Sequence, residues 1–124
     1  MALTIDALMT REVVYLPADT TLDDAAQAMR ARDIGDVVVT EGPALAGVVT
    51  DRDIVIRAVA DGRDPRTVTL GQIASRDLVM IRQDASPGEA LDLMNAKAVR
   101  RLLVCDPDRQ LVGIVARGDL VSSL

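Results

Sequence analysis

The chain repeats itself, and that constrains its fold more than any other property. A shift of 65 residues lays Thr4 on Thr69, Leu8 on Ile73, Arg11 on Arg76, Val14 on Val79, Asp19 on Asp84, Ala25 on Ala90, Met29 on Met94 and Val39 on Val104. A turn one residue longer in the second half then moves the shift to 66. Beyond it Gly47 meets Gly113, Val49 meets Val115, Asp53 meets Asp119 and Val55 meets Val121. Gly, Asp, Arg and Thr recurring in one order through both halves mark two copies of one supersecondary unit.

Each copy has the same layout. The short apolar runs Val13-Val14-Tyr15-Leu16 and Leu78-Val79-Met80-Ile81 are too short for helices and rich in strand formers, so each predicts a strand. At Thr21 to Asp24 and Ser86 to Glu89 a hydroxyl and an acid stand three apart, the reciprocal capping pattern that starts a helix. Leu22, Ala25, Ala26 and Met29, and likewise Ala90, Leu91, Met94 and Ala98, then predict apolar helix stripes that face a core. Two further apolar runs follow, Val37 to Val39 and Leu45 to Val49, punctuated by Glu41-Gly42-Pro43. Their counterparts are Leu102 to Val104 and Leu111 to Val115, punctuated by Asp106-Pro107-Asp108. Both pairs predict hairpins. Each hairpin runs into a polar step, Thr50-Asp51-Arg52-Asp53 or Ala116-Arg117-Gly118-Asp119, that opens a second helix at 51–60 or 117–123. The copy reads strand, helix, strand, strand, helix, with repeats at 1–66 and 67–124 and a linker at Asp61 to Arg66. The fold class is α/β.

Composition removes several kinds of function. Of the 124 residues 14 are basic and 19 acidic, a net charge of −5, and there is no His, Trp or Phe, one Tyr and one Cys. An acidic chain without stacking aromatics lacks the parts of a nucleic-acid binder. Without imidazole it lacks the usual general base and zinc ligand, so no metal site is expected. At 49% hydrophobic residues the chain should fold, and Cys105 reads as a small core hydrophobe. The N-terminal segment has neither the basic flank nor the apolar run of a secretory signal, and no stretch reaches the ~20 apolar residues of a membrane span. A cytoplasmic protein without membrane contact is the expectation, and the lone cysteine suits a reducing compartment.

The tandem repeat, with Gly47-Val-Val-Thr-Asp-Arg-Asp-Ile54, Leu8-Met9-Thr10, Asp33-Ile34-Gly35 and Val99-Arg100-Arg101-Leu102-Leu103-Val104, resembles a pair of CBS (cystathionine beta-synthase) domains over nearly the whole chain. The resemblance implies a pseudo-twofold pair of repeats, a Bateman module of the stand-alone kind, with clefts between the copies. It also implies adenosine-containing ligands such as AMP, ADP, ATP or S-adenosylmethionine, and a regulatory role without catalysis.

The residues themselves offer a site. Thr50 and Asp53 stand at a helix mouth, where free amides and the dipole favour a phosphate, and an ionised Asp accepts from the paired hydroxyls of a ribose. On spacing alone the same two residues read as helix caps; with the repeat and the resemblance they read as ligand residues. The resemblance implies a first cleft of Thr50 and Asp53, with Ser75 and the backbone of Asp77, Val79 and Met80 around a base and Arg100 and Arg101 near phosphate. A solvated pair of strand-edge charges is the plainer reading of those two arginines. The second, weaker cleft would use Asp119 with Thr10, Val14 and Tyr15. There the Thr50 position holds Ala116, and the positions of Arg100 and Arg101 hold Gly35 and Asp36.

The expectation is therefore a sensor of adenine nucleotide as regulatory ligand, needing no cofactor and no magnesium, forming a homodimer and acting on an unidentified regulated protein. The rival reading is a structural or interaction module with empty clefts. An enzyme built on Asp51, Arg52 and Asp53 would lack a nucleophile or metal constellation. The homodimer rests on Ile54, Ala58, Val59, Leu120 and Val121, more apolar positions than one copy's sheet should cover, and on the resemblance.

Overall fold

A computed structural model describes residues 3–123; Met1, Ala2 and Leu124, which the N-terminal reading and the repeat bounds include, lie outside the described residues. The chain divides into a continuous unit, Val14–Arg76, and a split unit, Met1–Val13 with Asp77–Leu124.

In the continuous unit the elements run β1 (Tyr15–Pro17), α1 (Leu22–Arg32), β2 (Asp36–Glu41), β3 (Ala44–Thr50), α2 (Asp51–Ile54), which continues as a π-helical turn at Val55–Val59, and α3 (Leu70–Ile73). The sheet order is β1-β2-β3, with β1 parallel and β3 antiparallel to β2. Thr21 starts α1 as foreseen, its hydroxyl accepting from the Asp24 amide at 3.2 Å. The helix ends on Asp33 in the left-handed region, at φ 53°. Leu22, Ala25 and Met29 form the buried stripe and pack on Val37, Val39 and Val49 of the sheet. Ala26, expected in that stripe, is exposed: a methyl group carries too little apolar weight to phase a helix, and Leu22 and Met29 set the buried face.

The split unit repeats the plan with β4 (Met80–Arg82), α4 (Pro87–Lys97), β5 (Arg101–Cys105), β6 (Leu111–Ala116) and α5 (Arg117–Val121), in sheet order β4-β5-β6. Ser86 caps α4, accepting from the Glu89 amide at 3.1 Å, and Pro87 takes the first helical position, where its missing N–H costs nothing. Ala90 and Met94 are buried; Ala98 instead ends the helix as its left-handed cap and is exposed. Cys105 is buried in β5. Both first strands begin later than their apolar runs predict, because parallel pairing starts only where the chain runs beside the next strand. Val14 and Val79 precede the strands yet already accept from the amides of Val38 and Leu103, at 2.8 and 2.9 Å.

The lead-in segments carry a feature the local patterns do not announce. In the continuous unit Ser75 and Val48 exchange both backbone hydrogen bonds at 3.0 Å; in the split unit Thr10 and Ile114 do the same at 2.8 and 3.0 Å. Each three-stranded sheet thus gains a one-residue fourth member, giving matched rungs Tyr15, Val38, Val48, Ser75 and Met80, Leu103, Ile114, Thr10. The compact units and the sequence repeats have different bounds because residues 3–13 bond to the second repeat, through Ile5 to Ala85 and Thr10 to Ile114, while residues 67–76 bond to the first. The stretch from Asp61 to Arg66 is tied down as well. Pro65 accepts from the Asp23 amide and Val68 from the Leu22 amide, both at 2.9 Å, satisfying first-turn donors of α1. No helix among the described residues is long and apolar enough to cross a membrane.

The crossing needs a glycine. A Cβ built on Gly47 would stand 2.7 Å from the Ser75 carbonyl oxygen and 2.9 Å from the Ala74 Cβ, and the first of these is backbone that cannot swing away. Gly47→Ala should therefore destabilise the protein by about 1–3 kcal/mol, the usual cost of overpacking. Thermal unfolding checks the loss, and faster exchange of the Ser75 and Val48 amides than of the Val37 to Val39 amides locates it.

Candidate functional site at the ends of β3 and β6

Where β3 stops, the chain turns directly into α2. Thr50 is extended, at φ −107° and ψ 163°, and its hydroxyl accepts from the Asp53 amide at 3.0 Å, while Asp53 Oδ2 accepts from the Thr50 amide at 2.9 Å. This is a complete capping box, so the plain reading of the two residues as helix caps is satisfied by geometry. It does not exhaust them. The hydroxyl still has its proton to donate, and Asp53 Oδ1 lies outside the cap, 3.9 Å from Arg57 Nε. Thr50 is 6% exposed and is the one buried polar side chain among the described residues. Ser75, bonded to Val48 two residues before Thr50, joins the same corner. The continuous unit therefore brings together Thr50, Asp53 and Ser75.

The split unit builds the matching corner with different chemistry. Asp119 Oδ2 accepts from the Ala116 amide at 2.9 Å, but Ala116 has no oxygen to return the bond. Thr10 stands at this corner as Ser75 does at the other. Arg100 accepts through its carbonyl from the Arg117 amide at 2.9 Å, and Arg101 pairs with Ala116 across β5 and β6. The same unit holds Asp77, Val79 and Met80 along the lead into β4, at the opposite sheet edge from Thr10; Val14 and Tyr15 hold that edge in the continuous unit. The Gly35 carbonyl accepts from the Asp51 amide at 2.8 Å, and a Cβ at Gly35 would come 3.2 Å from Asp51 Oδ2. A side chain there would need the exposed Asp51 carboxylate to shift by a few tenths of an ångström; the second repeat has Arg100 at this position.

Sequence reasoning gave Arg57 no role. Its signal was present, an acid followed four residues later by a base on one helix face. The expected apolar surplus on the final helices also changes membership. Ala58 and Leu120 are fully buried within their own units, whereas Val55, Ile56, Val59 and Val121 are 56%, 47%, 61% and 50% exposed.

Replacing Thr50 by Ala should remove one N-cap bond and cost about 1 kcal/mol, a fall in Tm of about 3–6 °C, with Thr50→Ser close to wild type. Ala116→Thr, which supplies the hydroxyl its corner lacks, should move Tm the other way in the same thermal scan.

Comparison with known proteins agrees with this architecture. The CBS domain profile matches residues 5–59 and 70–124. The chain is 38% identical over 112 residues to the CBS domain-containing protein YhcV of Bacillus subtilis, covering 90% of this chain and 79% of that one. It is 39% identical over 118 residues to Hypoxic response protein 1 of Mycobacterium tuberculosis, covering 94% and 82%. The crystal structure of a CBS-domain containing protein from Agrobacterium tumefaciens superposes with a TM-score of 0.81 at 25% identity, covering 99% of this chain and 94% of that one. With two matched repeats and relatives similar along most of their length, the chain belongs to the CBS domain family.

Proposed function

We propose that the chain is a non-catalytic regulatory module that binds an adenosine-containing ligand through the Thr50 and Asp53 corner. The observation that carries the reading is the buried Thr50 hydroxyl, held in a capping box that leaves Asp53 Oδ1 outside it, with Ser75 bonded alongside. A carboxylate oxygen beside a hydroxyl donor suits a ribose diol and its phosphate. In this reading the backbone of Asp77, Val79 and Met80 serves the base, and Arg100 and Arg101 serve phosphate. Asp119 with Thr10, Val14 and Tyr15 forms a weaker second site, since Ala116 donates nothing and Asp36 would repel an anion. The reading needs no magnesium or other cofactor, and includes a cytoplasmic setting and a regulated protein partner.

Calorimetric titration with adenosine, AMP, ADP, ATP and S-adenosylmethionine tests it. Asp53→Asn keeps an acceptor for the Thr50 amide but loses the charge, so a ribose-containing ligand should weaken by about ten- to a hundredfold, the equivalent of about 1.5–3 kcal/mol for a bond to a charged group. Asp119→Asn should change far less. Arg101→Ala should weaken AMP and ATP yet spare adenosine. At 100 times its Kd the ligand should stabilise the fold by about 2.7 kcal/mol. A flat thermal and calorimetric response to all five compounds overturns the reading in favour of an interaction module with empty clefts. Loss of binding in Asp119→Asn alone would exchange the two corners.

The same reading includes a homodimer, supported by the apolar side chains that the continuous unit leaves exposed along one turn, Val55, Ile56 and Val59. Light scattering should give twice the chain mass at micromolar concentration, and Val59→Asp should return it to one chain mass. A wild-type protein of one chain mass throughout refutes the dimer without touching the ligand reading.

A further inference from the structure

We infer that Arg57 is a positioning residue, locking the Asp53 carboxylate and the chain that carries Ser75 into one arrangement. The inference deepens the adenosine reading and rests on it. Arg57 lies on the π-helical turn Val55–Val59, one turn after Asp53. Its Nε is 3.9 Å from Asp53 Oδ1, and its Nη1 donates to the Ile73 carbonyl at 2.8 Å. Ile73 is the last residue of α3, so its carbonyl has no acceptor role inside that helix and takes the guanidinium as its cap. Two residues on, Ser75 is bonded to Val48.

Both oxygens of Asp53 therefore have a neighbour, Oδ2 at hydrogen-bond distance and Oδ1 only at ion-pair distance. Oδ2 takes the Thr50 amide and Oδ1 faces the guanidinium, which is anchored in turn to the segment bearing Ser75. The anchor is firm at the backbone: Ala58, next in the chain, is fully buried, and the Ala60 amide closes the wide turn onto the Val55 carbonyl at 2.8 Å. Because the Arg57 side chain is 46% exposed and the ion-pair contact is long, solvent screens most of its contribution to stability. Orientation is what remains. A forked guanidinium can serve a carbonyl and a carboxylate at once, which an ammonium cannot do in the same geometry.

The other repeat lacks the device. The residue matching Arg57 is Ser123, whose hydroxyl donates locally to the Leu120 carbonyl. The corner with the complete capping box is thus also the corner whose carboxylate faces an arginine.

The test is a double-mutant cycle on adenosine affinity with Arg57→Gln, Asp53→Asn and the double variant, and Arg57→Lys as the conservative control. Arg57→Gln should weaken adenosine about tenfold in the wild-type background and less than about twofold in Asp53→Asn, with Arg57→Lys in between. Equal losses in both backgrounds would overturn the inference, as would a lower Tm with affinity within twofold of wild type. Those results would leave Arg57 as no more than the cap of α3. Amide exchange supplies a readout without ligand: Arg57→Gln should speed exchange at Thr50 several-fold while leaving Val37 to Val39 unchanged, and uniform acceleration would count against positioning. If wild type binds no adenosine, the nucleotide reading falls, and the Thr50 amide alone decides whether Arg57 orients Asp53.

Discussion

The fold depends on a close approach. An extended segment runs beside the middle of a strand and exchanges two backbone hydrogen bonds with one of its residues, so close that the residue before it has no room for a Cβ. Gly47 meets that requirement in the continuous unit, where the Ser75 carbonyl would stand 2.7 Å from any Cβ. Gly113 meets it in the split unit, with the Thr10 carbonyl 2.9 Å from the equivalent position. The repeated glycine is thus a steric condition, imposed twice by the same crossing. From it follow the four-residue rungs, the burial of the strand ends, and the arrival of a hydroxyl-bearing residue, Ser75 or Thr10, beside each helix start.

On this duplicated scaffold the polar atoms differ. Both corners keep the Asp that accepts from the amide of the residue three before it, at 2.9 Å in each case, which satisfies a backbone donor at the helix start. The partners around the two carboxylates have no such obligation. In the second repeat the position of Thr50 holds Ala116, that of Arg57 holds Ser123, and those of Gly35 and Asp36 hold Arg100 and Arg101. Capping chemistry is common to the copies, and the extra polar groups are not.

Much of this was legible from the residues. The glycine and proline at Gly42-Pro43, with Gly42 at φ 59°, announced the first hairpin, and Thr21 and Ser86 announced two helix starts. These signals are local: a turn or a cap is decided by residues within four of one another. What escaped the reading is decided at longer range or by small differences. Nothing near Ser75 says that it will bond Val48, 27 positions earlier. Nor does Ile5 announce that it will be fully buried with its amide on the Ala85 carbonyl. Ala26 is exposed against its spacing because a methyl group barely phases a helix. The candidate site was readable to the same degree. Thr50 and Asp53 stood out through spacing, while the anchoring of Asp53 required knowing where α3 ends.

Because each sheet takes its last strand member from outside its own repeat, the two units differ in chain order. Val14–Arg76 is unbroken, so every partner it needs has been synthesised once residue 76 is made. The other unit pairs Thr10 with Ile114 and must close a loop of about a hundred residues to do so. During synthesis at the ribosome, the segment with Ile5 and Met9 therefore waits, its apolar side chains without their sheet, until β6 emerges. The contacts of highest sequence separation lie in the split unit, so its full set of partners exists only after that of the continuous unit is complete.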